Sequence, residues 1–142
     1  MSSDDQYEAE QHLGFLLKHV QTRFTELHTA ALEPFGVNGR ELAVLLVLNT
    51  DEPPSQQQAA QRLGVDRTTM VALIDALEDK GLVERRPAAD DRRKNVVEFT
   101  AVGRDTLHNA IKASDDAERR FLAPLGRAAA HQLRDTLRAL ID

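Results

Sequence analysis

"LGVDRTTMVALIDALEDKGLVERRPAADDRRKNVVEFT", residues 63–100, is the stretch on which the fold turns. Gly64 suits a tight turn with a left-handed backbone, and Asp66 follows as the N-cap of a helix that Gly81 stops. On that helix Met70, Leu73, Ile74 and Leu77 share one face, while Thr68, Ala72, Asp75 and Asp79 share the opposite one. Beyond Gly81 the runs "LVERR" and "NVVEFT" are short and β-branched, with "PAADDRRK" between them. That pattern predicts a hairpin with a projecting, charged tip.

Upstream, Ser55 and Gln58 have the spacing of a reciprocal helix cap and open "SQQQAAQRLG". Two short helices joined by a Gly-containing turn, the second with a polar outer face, make a helix-turn-helix. One helix braces across the DNA backbone and the next lies in a major groove wide enough for it. A charged hairpin alone reads as a solvated loop. Directly after a helix pair it reads as a wing, whose arginines reach phosphates or the minor groove.

Further upstream, Asn38 and Glu41 form a second capping pair before "GRELAVLLVL", which is apolar nearly all round and expected to be buried centrally. Residues 5–33 read as a long helix, with Leu13, Leu16, Leu17, Val20, Phe24, Leu27 and Ala31 on one arc and Pro34 and Gly36 ending it. Downstream, Thr100 caps a helix through Leu107, Ala110 and Ile111 to about Ala117, and a last helix carries Leu133, Leu137, Leu140 and Ile141. The expected architecture is mainly α with a small β wing, a winged helix-turn-helix in the order αααα–ββ–αα. Residues 38–100 form the DNA-binding domain, flanked by helices at 1–37 and 101–142. A lone copy would leave the apolar stripes of those helices uncovered, which favours dimerisation.

Charge looks at first like an objection, because the 142 residues carry a formal net charge of −5. Its distribution weakens that objection. Residues 1–52 hold 3 basic and 9 acidic side chains, whereas residues 53–97 hold 8 and 7, and five of those Lys/Arg fall within 85–94. There is no cysteine, no apolar run long enough to span a bilayer and no signal-like N-terminus, so a cytoplasmic location is expected. No nucleophile–base arrangement or phosphate-cradling Gly-rich loop is present, so neither catalytic residues nor a cofactor are expected. His12 and His19 stand two helical turns apart, too far to share a zinc ion.

The residues "LEDKGLVERRP", the "DRR" at 91–93 and "FT-x-x-GR" at 99–104 resemble the multiple-antibiotic-resistance regulator (MarR) family of bacterial transcription factors, and the likeness extends over nearly the whole chain. The resemblance implies an obligate homodimer with interlocked terminal helices and a winged helix on each protomer. It implies a double-stranded, pseudo-palindromic DNA operator and a repressor released by a small phenolic or anionic effector. The absence of Trp and Cys removes the anchors of two sensing modes, urate pockets and peroxide-reactive thiols.

Arg67, Thr68, Thr69 and Val71 are the expected groove contacts, with first-turn capping the simpler role for the two threonines. Ser55 and Gln56 offer donors to a phosphate at a helix start. On the wing, the resemblance carries Asp91 and Arg93 onto the family's pair, with Arg92 and Lys94 as phosphate neighbours; the carboxylates of Asp90 and Asp91 are expected to hold a neighbouring guanidinium in one rotamer. Arg86 is counted among the DNA contacts, although the residues do not decide between it and Arg85. Two departures stand out: family members often have basic residues where this chain has Ala72 and Ala76, and Asp75 and Asp79 would repel phosphates. The wing should therefore carry an unusually large share of the affinity. His12, His19 and Arg23, at the border of the first helix's stripe, could receive an effector's carboxylate or phenolate, or simply face solvent or the partner copy. The acidic balance leaves a second reading open, a winged helix turned to protein binding.

Overall fold

The computed structural model describes residues 8–142. Its elements are α1 (Leu13–Leu32), a 3-10 turn (Glu33–Phe35), α2 (Gly39–Leu48), α3 (Gln56–Leu63), α4 (Arg67–Asp79), β1 (Val83–Pro87), β2 (Asn95–Phe99), α5 (Ala101–Leu122), a second 3-10 turn (Ala123–Leu125) and α6 (Gly126–Ile141). The expected order αααα–ββ–αα is observed. The anticipated start of the first helix at residue 5 lies outside the described residues. No described helix is long and apolar enough to cross a membrane.

Two compact units divide the chain: Leu32–Ala113, and the segments that precede and follow it. In the first unit every helix start is fixed by the side chain that the sequence offers. Asn38 accepts the Glu41 backbone N–H at 2.9 Å, and the Glu41 carboxylate accepts the Asn38 N–H at 3.0 Å. Ser55 and Gln58 repeat the arrangement for α3, and Asp66 accepts the Thr69 N–H at 2.6 Å for α4. Gly64 adopts φ +73°, as the turn between α3 and α4 requires.

Beneath these caps lies one core. Leu32, Val44, Leu45, Met70, Ile74, Leu77, Val83 and Val97 are all essentially inaccessible to solvent. Ile74 and Leu77 anchor the apolar face of α4, and Thr68, Ala72, Asp75 and Asp79 are exposed on the other side. α2 is less enclosed than expected: Leu46 is exposed, while Leu42, Val44, Leu45 and Leu48 are buried. Glu41 is buried as well, and its charge is matched by Lys80 Nζ at 2.8 Å, which also donates to the Gly36 carbonyl at 2.8 Å. This contact ties the end of α4 to the start of α2.

β1 and β2 pair antiparallel with Arg85 opposite Val97 and Pro87 opposite Asn95. The chain before α3 adds to this hairpin, since the Val97 N–H donates to the Pro54 carbonyl at 3.1 Å and Ser55 bridges Val96. The "FT-x-x-GR" segment is a joint. Thr100 Oγ1 donates to the Gly81 carbonyl and accepts the Gly103 N–H, and Arg104 sits over the Phe99 ring at 5.4 Å. At Gly103 a Cβ would stand 1.8 Å from the Leu82 carbonyl oxygen, so only glycine fits.

α5 runs to Leu122 rather than stopping near Ala117. Nothing between those positions breaks a helix; Pro124 and Gly126 are the first residues that do. In the second unit, Phe24 stacks on His28 at 4.9 Å and meets Phe121 edge-on at 5.4 Å, and His28 Nε2 lies 2.8 Å from Ser114 Oγ. The sequence leaves His28 isolated; 86 residues separate it from Ser114, so folding alone makes this cluster. Leu13, Leu16, Leu17 and Val20 of α1, and Leu137, Leu140 and Ile141 of α6, remain exposed.

Candidate nucleic-acid interface

The start of α3, the first turn of α4 and the descending side of the wing tip enclose a concavity of ≈ 680 Å³. Ser55 and Gln56 contribute from α3's start, Arg67 from α4, and Arg93 and Lys94 from the wing. These are five of the residues expected to meet DNA, drawn from three separate segments. Gln57, Gln58, Gln61 and Asn95 complete the polar lining. Gln58 is the capping partner of Ser55, whereas Gln57, Gln61 and Asn95 carry no signal in the sequence, because neither a glutamine run on a helix nor a lone asparagine at a strand start has a distinctive spacing. Amides and cations line the concavity together with Ala60, Val65 and Met70, a combination that suits a phosphodiester backbone beside base edges.

Arg67, Arg92, Arg93 and Lys94 are exposed, and among the described residues none of their side chains forms an ion pair. The tip's shape comes from its backbone. The Arg93 N–H donates to Asp91 Oδ1 at 3.0 Å, the Lys94 N–H to the Asp91 carbonyl at 3.1 Å, and the Ala88 N–H to the Lys94 carbonyl at 2.8 Å. Contrary to the expectation, neither Asp90 nor Asp91 forms an ion pair with a guanidinium among the described residues; Asp91 instead folds the turn that presents one. A short carboxylate reaches the backbone two residues on more readily than the far end of a long, solvated side chain.

At the wing's base the arginines are engaged. Arg85 is paired with Asp75 at 2.7 Å and Glu78 at 2.9 Å and bonded to Gln56. Asp75 is thus not the bare repelling charge that the sequence suggested. Arg86, on the other face of the strand, pairs with Glu84 and with Glu98 at 3.2 Å. Hydrogen bonding and charge from Glu84, then the charge of Glu98, hold its guanidinium even more firmly protonated than usual.

On α4, Thr68 is exposed, while Thr69 and Val71 are half-buried. The Thr69 N–H is the one that Asp66 caps, which is the simpler role foreseen for that residue. Hydrogen bonds from Thr69, backbone first and side chain second, hold the Asp66 carboxyl below its ordinary pKa. His12, His19 and Arg23 are exposed on or just before α1, with the His19 ring 4.1 Å from that of Phe15.

Comparison with known proteins places this geometry among DNA-binding repressors. The MarR family profile matches residues 35–94. The transcriptional repressor MprA of Escherichia coli K12 is 27% identical over 129 residues, spanning 89% of this chain and 73% of MprA. The transcriptional repressor CouR bound to a 23-mer DNA duplex superposes with a TM-score of 0.90 at 32% identity, covering 95% of this chain and 96% of that one. CouR from Rhodococcus jostii RHA1 bound to p-coumaroyl-CoA superposes with a TM-score of 0.79 at 30% identity, covering 92% of each.

Proposed function

This chain belongs to the MarR family, and from that membership we propose that it is a sequence-specific repressor that binds double-stranded DNA as a homodimer and is released by a small effector. The observation that carries this reading is the convergence of Arg67, Arg93 and Lys94 with the start of α3 around one polar concavity. Residues 38–100 supply the DNA contacts, and residues 1–37 and 101–142 pair two copies. The exposed leucines of α1 and α6 support that pairing. Two recognition helices about 34 Å apart then meet successive major grooves of a pseudo-palindromic operator. The repressor acts in the cytoplasm and catalyses no reaction.

Within it, Arg67, Thr68, Thr69 and Val71 face the major groove, Arg92, Arg93 and Lys94 neutralise phosphates or enter the minor groove, and Ser55 and Gln56 meet the backbone. Asp91 shapes the wing turn. Arg86 is the weakest of these candidates, because a phosphate must compete with Glu84 and Glu98 for it. His12, His19 and Arg23 are the candidate effector ligands. The p-coumaroyl-CoA bound by CouR is both phenolic and anionic, the class expected here. An effector that shifts the dimer by about 1–3 kcal/mol changes operator affinity roughly 5- to 150-fold.

The test is fluorescence anisotropy of the purified protein on the intergenic DNA beside its own gene, across a salt series, with and without p-coumaroyl-CoA. Binding at two protomers per site, tighter than to scrambled duplex and steeply weakened by salt, supports the reading. Equal, salt-insensitive binding to both duplexes would move the assignment to a protein-binding winged helix.

A further inference from the structure

Arg85 reaches across three elements of the DNA-binding unit. Its two terminal nitrogens bond Asp75 and Glu78 on the exposed side of α4, and one of them also donates to the Val71 carbonyl at 3.3 Å. Its backbone N–H donates to Glu78 Oε2 at 3.0 Å, and its Nε–H donates to Gln56 Oε1 in the first turn of α3. The side chain is 18% exposed. To reach a phosphate it would have to abandon two carboxylates and leave both facing a polyanion.

The bond to Gln56 has a directional consequence. A guanidinium has only donors, so the end of the glutamine amide that meets it must be the carbonyl oxygen. The NH₂ end is then the one left for the concavity that Gln56 lines. An unconstrained glutamine would present either end, and half of those orientations would set an oxygen against a phosphate.

We infer that Arg85 is a positioning residue: held against the recognition helix by Asp75 and Glu78, it orients Gln56 so that its NH₂ meets the DNA backbone, and does not itself touch DNA. The inference rests on the proposed operator binding and assigns one more residue of that site its role.

A double-mutant cycle on the full-length homodimer tests it. Arg85→Lys keeps the charge and loses the planar fork, and Gln56→Ala removes the amide. Affinity for the intergenic duplex is measured for wild type, both single variants and the double variant, with thermal midpoints recorded alongside. Acting through Gln56, Arg85→Lys should weaken binding about 5- to 20-fold in the wild-type background and under about 2-fold where Gln56 is already alanine. Equal weakening in both backgrounds would overturn the inference, since a direct contact or a general loosening adds independently of Gln56.

Nuclear magnetic resonance of the wild-type protein gives a second readout free of any folding defect. Adding the duplex should shift the Gln56 side-chain NH₂ resonances and leave Arg85 Nε–H hydrogen-bonded and protected. A shift at Arg85 with Gln56 unmoved would overturn the inference. If wild type fails to distinguish the intergenic from the scrambled duplex, the operator reading itself fails, and that outcome is visible before any variant is made.

Discussion

Arg85, at the base of the wing, is bonded to two carboxylates, an amide and a carbonyl, whereas the Arg93 guanidinium at the tip is exposed and has no ion pair among the described residues. The two are the same residue type on one hairpin, and their surroundings give them opposite uses. The base abuts α4, whose outer face carries Asp75 and Glu78, so an arginine there closes a local network. At the tip, among the described residues, no carboxylate pairs with Arg92, Arg93 or Lys94, and the Asp91 carboxylate is occupied in accepting the Arg93 backbone N–H. A cation near DNA is useful in proportion to how little it must give up to meet a phosphate, because exchanging one carboxylate for one phosphate gains little.

The largest effect should follow from stripping the tip. Replacing Arg92, Arg93 and Lys94 together with alanine should lower affinity for the target DNA by at least about 10²-fold, with the thermal midpoint unchanged. The log–log salt slope should become shallower by about 0.9 for each phosphate that is no longer neutralised. Anisotropy over a salt series measures both. If binding survives intact, the tip is not where the affinity lies and the contrast with the base collapses.

Disturbing the base should act on folding instead. Gly103→Ala forces a methyl group into the Leu82 carbonyl and should destabilise the protein by about 1–3 kcal/mol or more, read from urea unfolding. The joint between the wing and α5 would loosen, so DNA affinity would fall as well. A variant as stable as wild type would mean that the joint is slack and the wing less firmly held than the geometry implies.

The smallest effect concerns the helix cap at Asp66. Asp66 has a lowered pKa in the folded state, so its stabilisation is complete above its ordinary value near 3.8 and is lost as pH falls through the lower folded value. Asp66→Asn keeps a cap acceptor but removes that titration, and should blunt the loss of stability in acid unfolding between those two values. An Asp66→Asn variant whose acid unfolding curve overlays that of wild type would show that the cap carries no such titration.

The local order was legible because each element carries its own start and stop signals. Asn38 with Glu41, Ser55 with Gln58, Asp66, Gly64 and Gly81 each act within a few residues, and a reader of the sequence applies the same local rules as the backbone does. The spacing of apolar residues placed Met70, Ile74 and Leu77 inward for the same reason. Where such signals were absent, as between Ala117 and Pro124, the expected helix end was wrong. The candidate site was legible in part: Arg67, Arg93, Lys94, Ser55 and Gln56 do converge, while Gln57, Gln61 and Asn95 were missed for want of a pattern.

By itself, then, the sequence determined the succession of helices, the hairpin and its basic tip, because capping, glycine geometry and periodicity are short-range. Only the tertiary structure decided which cations are free. Charge is a property of a residue, but availability depends on what stands within a few ångströms after folding. Arg85 meets Gln56 across 29 residues of chain and His28 meets Ser114 across 86. Lys80 finds Glu41 and the Gly36 carbonyl by packing that no local pattern encodes. Two adjacent arginines, Arg85 and Arg86, were indistinguishable as letters, and the alternation of a β-strand sent one to the recognition helix and the other to its own hairpin's glutamates.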